Sequence, residues 1–153
     1  PNATFNTVRL YYSIFRNFTV IGRSSLTALF LINSADASNF TVIAKGTGHG
    51  ITTQTSCTAS NFYVESNSGN AVSGGILSKF VAKSVSGIAV SAPTSAHDFV
   101  ATTGNNYAVN MAVSEISNFR AENNSSTLPC INLTNTLQCV QGYVRNIGSY
   151  YAI

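Results

Sequence analysis

The sequence predicts an all-β protein that folds as a right-handed parallel β-helix, a solenoid of about seven coils of 18–24 residues with three short strands in each coil. Three observations lead to this fold class: a repeated motif, a fixed spacing of apolar residues, and a composition poor in charge. The stretch NFTV occurs at Asn17–Val20 and again at Asn39–Val42, and it returns as NFYV at Asn61–Val64. A motif that returns at an interval of 20 to 50 residues is typical of a solenoid.

An aromatic residue marks each coil. The aromatic positions are Phe18, Phe40, Phe62, Phe80, Phe99, Phe119 and, in the last coil, Tyr143. The residues two places later are Val20, Val42, Val64, Ala82, Ala101 and Ala121, with Arg145 breaking the pattern in the last coil. Residues two apart lie on the same face of a strand. We therefore expect one strand in each coil to bury its aromatic residue and the residue two places after it.

Two further segments in each coil also carry an inward apolar residue. Ten to twelve residues after the aromatic stand Ile51, Val72, Val90, Val109, Ile131 and Ile153, with Leu29 or Phe30 in the first coil. Three residues before it stand Phe15, Ala37, Ala59, Leu77, Ala96, Ile116 and Val140. Turn-forming stretches such as GTGHG at Gly46–Gly50 and NSGN at Asn67–Asn70 separate these segments. Each coil is thus predicted to hold three strands, stacked on the next coil at about 4.8 Å.

An asparagine precedes the aromatic residue in four coils, at Asn17, Asn39, Asn61 and Asn118. Asparagine tolerates the left-handed αL conformation, and stacked amides hydrogen-bond to one another. We expect these side chains to form a ladder at one corner. Among rival solenoids, a left-handed β-helix requires strict hexapeptides and a leucine-rich repeat requires a Leu and Asn pattern. The drifting period favours the right-handed β-helix.

The composition narrows the classes of function. Charged residues make up 8% of the chain, against about 25% in an ordinary soluble domain, and the net charge is +3. The Lys and Arg residues are scattered, which argues against a nucleic-acid partner, and the apolar runs are too short for membrane insertion. Cys57, Cys130 and Cys139 lack the spacing of a zinc site or a disulfide framework, so neither a metal nor a cofactor is predicted. Residues 1–153 are interpreted as one domain, a fragment of a larger chain made in a reducing cytoplasm.

No catalytic residue is predicted within the chain. Glycoside hydrolysis usually needs two carboxyl groups about 5–10 Å apart. Glu65 and Glu122 both follow an aromatic by three residues, yet three coils separate them, or about 14 Å. Lys83 lies one coil from Glu65, which predicts an exposed ion pair. A catalytic pair completed by another chain remains an open alternative. The candidates for ligand binding on the outer face are Tyr63, Glu65, Lys83, Arg120 and Glu122.

A column of small residues precedes the second apolar position of each coil. Its members are Gly50, Ala71, Ala89, Ala108, Cys130 and Ala152. Successive residues of a strand point to opposite faces, so the residue before an inward apolar residue should point outward. The column is therefore expected on the exterior, where it would leave a flat face for association. Gly50, Ala71, Ala89, Ala108 and Ala152 are therefore the predicted subunit interface. The alternative is ordinary tolerance for alanine on an outer surface.

An irregular β-helix that is poor in charge, rich in Ser, Thr, Asn and Gly, and supplied with free cysteines resembles the tail fibres and tailspikes of tailed bacteriophages. The resemblance is one of architecture and composition. It implies a homotrimer in the virion tail that attaches to its host by binding bacterial surface polysaccharide. Two alternatives remain open: a tailspike-type polysaccharide depolymerase, acting as an endoglycosidase or a lyase, and a bacterial adhesin.

Overall fold

Two parallel β-sheets that run along one axis form the structure. The computed structural model describes residues 8–112, 115–134 and 138–148. In this part of the chain every regular element is a strand, and the strands in chain order are β1 Val8–Tyr11, β2 Ile14–Gly22, β3 Leu29–Ile32, β4 Asp36–Ala44, β5 Ile51–Thr53, β6 Thr58–Ser66, β7 Val72–Ser73, β8 Ile76–Ser84, β9 Val90–Ser91, β10 Ser95–Thr103, β11 Val109–Ala112, β12 Glu115–Asn123, β13 Ile131–Thr134 and β14 Gln138–Asn146.

The strand order is that of a parallel β-helix. Odd-numbered strands form one seven-stranded sheet in the order β1-β3-β5-β7-β9-β11-β13, and even-numbered strands form the other, from β2 to β14. All pairs are parallel. The chain therefore makes about six full turns, and the predicted fold class is confirmed. Parallel strands joined by a crossover are almost always connected with the right hand, which favours the right-handed form that the irregular coils predict.

Each long strand of the even-numbered sheet is bent at one residue in the αL conformation. The seven αL residues have φ between 52° and 57°: Asn17, Asn39, Asn61, Lys79, Asp98, Asn118 and Gln141. The pairing between neighbouring strands skips this residue and resumes on both sides of it. Two of the three predicted segments are therefore halves of one bent, nine-residue strand, and the predicted asparagine corner is confirmed.

The phenylalanines form one continuous stack. Successive rings from Phe18 to Phe119 lie 4.8–5.4 Å apart and within 14° of parallel. The rings from Phe40 to Phe119 are 3–6% exposed, whereas Phe18, which among the described residues stacks on Phe40 alone, is partly buried. The residues two places later, from Val20 to Ala121, are also buried. The predicted aromatic column is confirmed.

The small-residue column lies in the core, so the predicted exterior interface is wrong. Gly50, Ala71, Ala89 and Ala108 are buried within the single chain, as is Cys130. The chain turns at this corner, and two consecutive residues such as Ala71 and Val72 are both buried there. The alternation of a straight strand therefore does not extend across the turn. A Cβ atom at Gly50 would lie 2.5 Å from a methyl group of Val64, which explains the small residues. Ala152 and Ile153 lie outside the described residues.

The register of the last coil differs from the prediction by one residue. Gly142, and not Tyr143, pairs with Phe119, and Cys139, and not Val140, pairs with Ile116. The ring of Phe119 occupies the space that a Cβ at position 142 would need. The aromatic pattern predicts Tyr143 at the inward position, but its side chain is 53% exposed on the outer face. Val144 takes the inward position that had been assigned to Arg145.

In the first coil, Leu29 and not Phe30 holds the inward position, since Leu29 pairs with Ile51 and is fully buried.

Candidate ligand-binding groove

A shallow groove, open to solvent, runs along the axis at the αL corner. One stretch of about 810 Å³ extends from Asn17 to Val100, and a second of about 510 Å³ continues from Asp98 to Tyr143. The lining comes from the αL residue, the phenylalanine after it and the outward residue after that. Five ring-to-ring steps of 4.8–5.4 Å separate Phe18 from Phe119, and Gly142 takes the phenylalanine position in one further coil, so the groove is roughly 30 Å long.

The αL residues supply a row of exposed polar side chains. Asn61 donates a hydrogen bond from Nδ2 to Oδ1 of Asn39 at 2.6 Å, and Asn118 donates from Nδ2 to Oδ1 of Asp98 at 2.8 Å. A primary amide has two N–H donors and an oxygen with two lone pairs. Each coil-to-coil hydrogen bond uses one donor of one amide and one lone pair of the next group. The remaining donors and lone pairs are available to a ligand.

Tyr63 is the centre of a polar cluster on the groove wall. Its hydroxyl donates to Oε2 of Glu65 at 2.6 Å, and Nζ of Lys83 lies 5.5 Å from the centre of its ring. Burial, the hydrogen bond to Glu65 and the charge of that carboxylate together raise the pKa of Tyr63 to about 12. Tyr63 is therefore a neutral donor at physiological pH. Glu65 and Lys83 do not form the predicted ion pair within the described residues. Each of the two contacts Tyr63 instead.

A second cluster of the same kind surrounds Arg120. Its Nη2 and Nε donate to Oε1 of Glu122 at 2.7 and 3.1 Å, and its guanidinium lies 5.5 Å from the ring centre of Tyr143. The hydrogen bond to Glu122, with the charge of that carboxylate, raises the pKa of Arg120. Within the described part of the chain this is the one ion pair. Both clusters place a cation over a tyrosine ring beside the groove.

The structure brings the five predicted ligand-binding residues together in these two clusters. Tyr63 and Arg120 line the groove itself. Glu65 and Lys83 instead line a separate pocket of about 430 Å³, where the long strands end. Glu122 lies in the same outward column as Glu65, three coils away. The separation that the sequence predicts for the two glutamates is confirmed, and they do not form an acid–base pair.

Sequence reasoning missed two charged positions in the groove. Lys79 and Asp98 occupy the αL position that asparagine holds in four other coils. Both residues stand immediately before a phenylalanine of the repeat, and that position could have identified them from the sequence. The 2.7 Å hydrogen bond between His97 Nδ1 and Ser117 Oγ, on the other side of the αL corner, was not predicted either.

Among the described residues no group of three or more His, Cys, Asp and Glu side chains could hold a metal ion. The same part of the chain contains no helix long and apolar enough to cross a membrane.

Comparisons of the chain with models of known protein families, with characterised proteins and with solved structures found no match.

Proposed function

We propose that this β-helix is a host-attachment module of a viral tail fibre or tailspike, and that it binds a cell-surface polysaccharide along the groove as part of a homotrimer. The observation that carries the proposal is the linear groove, which presents one polar αL side chain per coil over roughly 30 Å. A ligand that suits such a site is itself linear and repeats its polar groups at regular intervals.

The chemistry of the lining favours a sugar polymer. Sugar hydroxyls both donate and accept hydrogen bonds, and so do the amides of Asn39 and Asn61 and the hydroxyls of Thr19 and Thr41 in the first stretch of the groove. Tyr63 adds a ring with an apolar body and a neutral hydroxyl beside these groups. A groove with few charges, many amides and hydroxyls, and aromatic rings on its wall suits a polyhydroxylated chain better than a nucleic acid or an apolar peptide.

Binding without cleavage is the form of the proposal that the lining supports. Asp98 is the one carboxylate among the residues that line the described groove, and glycoside hydrolysis usually requires two. The raised pKa of Tyr63 makes its hydroxyl a poor general base near neutral pH. A depolymerase is the alternative, with a second group supplied by another chain.

The homotrimer is proposed from the resemblance to tail fibres and tailspikes. Its interface does not include Gly50, Ala71, Ala89 or Ala108, because these residues are in the core. The groove is formed within one chain, so polysaccharide binding does not depend on which outer face associates. Light scattering of the purified protein tests the oligomeric state, and a monomeric mass would contradict the trimer while leaving the groove proposal in place.

The central experiment measures binding to an array of bacterial surface polysaccharides. The variant Asn61→Gly removes one groove amide and keeps a residue that adopts αL without strain. The control Ser73→Ala removes a hydroxyl from the other sheet, away from the groove. We expect the wild type and the control to bind the same polysaccharide, and Asn61→Gly to bind it several-fold more weakly.

Two results would change the proposal. Binding that is lost equally in Asn61→Gly and Ser73→Ala, or no binding by the wild type, would overturn it. New reducing ends or unsaturated sugars produced by the wild type would support the depolymerase alternative instead.

A further inference from the structure

We propose that Lys79 makes the groove specific for an acidic polysaccharide in which charged sugar units are separated by uncharged ones. This inference rests on the proposed function, since it names the class of polymer that the groove takes. It starts from the αL column, where Lys79 and Asp98 interrupt a series of asparagines.

Lysine is an unfavourable residue for this backbone position. Lys79 has a φ of 52°. Asparagine and aspartate are several-fold enriched at positive φ because their short polar side chains can hydrogen-bond locally, and lysine lacks this property. The repeat accommodates Asn at the same place in the preceding coil and in three others, so the fold does not require lysine there. A strained residue on the wall of a groove points to a functional role.

Lys79 makes no ion pair in the described groove. The neighbouring cations are engaged, Lys83 over the ring of Tyr63 and Arg120 with Glu122. Within the described residues Lys79 forms no ion pair, not even with Asp98 in the next coil. Lys79 is also exposed and lines the larger stretch of the groove. Its ammonium group is thus available to the carboxylate or sulfate of a bound sugar, and a charge-assisted hydrogen bond is stronger than a neutral one.

Asp98 restricts the spacing of charge on the ligand. It follows Lys79 by one coil, and its carboxylate accepts a hydrogen bond from Asn118. The other neighbour of Lys79 in the column is the uncharged Asn61. An anionic group beside Lys79 is attracted, whereas a second anionic group beside Asp98 is repelled. A polymer that alternates acidic and uncharged units satisfies both positions, and a polymer with an acid on every unit does not.

The test compares three polysaccharides: hyaluronate, which alternates uronate with an uncharged sugar, polygalacturonate, which is acidic at every unit, and uncharged dextran. We expect the wild type to bind hyaluronate best. We expect Lys79→Asn to weaken that binding about tenfold or more, as the loss of one charge-assisted hydrogen bond predicts. Lys79→Arg should retain it, and Asp98→Asn should improve binding of polygalacturonate.

A second readout needs no ligand. Replacing a strained lysine by asparagine should raise the melting temperature by about 2 °C in a domain of this size. If Lys79 were instead a structural partner of Asp98, Lys79→Asn would lower the melting temperature, and the inference would be overturned.

The inference and the proposed function fail in different ways. Binding of an uncharged polysaccharide that Asn61→Gly weakens and Lys79→Asn leaves unchanged would overturn the inference and support the proposed function. Hyaluronate affinity that is equal in the wild type and Lys79→Asn would also overturn the inference. Absence of binding to any polysaccharide would overturn both.

Discussion

Truncation of Phe80 to alanine removes one ring from the middle of the aromatic column. The ring stacks between Phe62 at 4.8 Å and Phe99 at 4.9 Å, with interplanar angles of 2° and 6°, and it is 3% exposed. Because the backbone on both sides is held by parallel pairing to the adjacent coils, the coils cannot close over the gap. The variant should therefore leave a cavity lined by the two flanking rings.

The expected cost is about 4 kcal/mol. Removal of a buried phenylalanine side chain from a core typically costs 3–5 kcal/mol, and the cost rises where the site collapses poorly. The matched variant is Phe18→Ala, which removes a partly buried ring that stacks, within the part of the chain the structure describes, on Phe40 alone. It should cost about 2 kcal/mol or less, since both the buried area and the ring contacts are smaller.

Urea unfolding followed by circular dichroism measures both variants, with the free energy of unfolding obtained by linear extrapolation. Equal losses for Phe80→Ala and Phe18→Ala would refute the reasoning, because the stack would then contribute no more in its middle than at its end. If Phe80→Ala lowered only the dependence of the unfolding free energy on urea concentration, the coils on either side of Phe80 would be unfolding separately, as nearest-neighbour coupling in solenoids allows.

Three further predictions concern other parts of the molecule. The pKa of Tyr63 is raised from 10.0 to about 12. The stability contributed by its protonated form is therefore complete below pH 10 and is lost as the pH rises towards 12. Spectrophotometric titration should show a lower Tyr63 pKa in the variant Glu65→Gln. Gly142→Ala should destabilise the protein by about 1–3 kcal/mol in urea unfolding, because the added Cβ collides with the ring of Phe119 in the preceding coil. Ala89→Arg should leave the chain unfolded by circular dichroism, since it buries an unpaired charge, whereas Thr102→Arg on the outer face should fold normally.

The fold could be predicted because the repeat is carried by residues whose size the core requires. A phenylalanine in six coils set the register of the long strands, and the asparagine before it identified the αL corner. The same reasoning failed at Gly142, where the position that pairs with Phe119 holds no side chain and the aromatic residue beside it is exposed. A pattern of residue types cannot identify a position whose defining feature is an absent side chain.

The small-residue column could not be placed from the sequence for a different reason. Ala71 and Ala89 are compatible with either side of a strand, so only the path of the backbone decides between core and surface. At this corner two successive residues are buried, and the period-two alternation that holds within a strand does not apply. The clusters around Tyr63 and Arg120 were likewise beyond prediction in detail. Their residues were identified, but which side chain a cation contacts depends on rotamers.

One structural feature gives rise to both the core and the groove. The αL residue of each coil is skipped in the pairing between strands, and it turns the chain so that the phenylalanine after it enters the core. The fold requires of this residue little more than a positive φ, which Asn, Lys, Asp and Gln all adopt here. Its side chain is therefore free to vary while the phenylalanine stack stays intact. If the groove binds a polysaccharide as proposed, substitutions in the αL column should change which polymer is bound, whereas substitutions one residue later should change whether the chain folds.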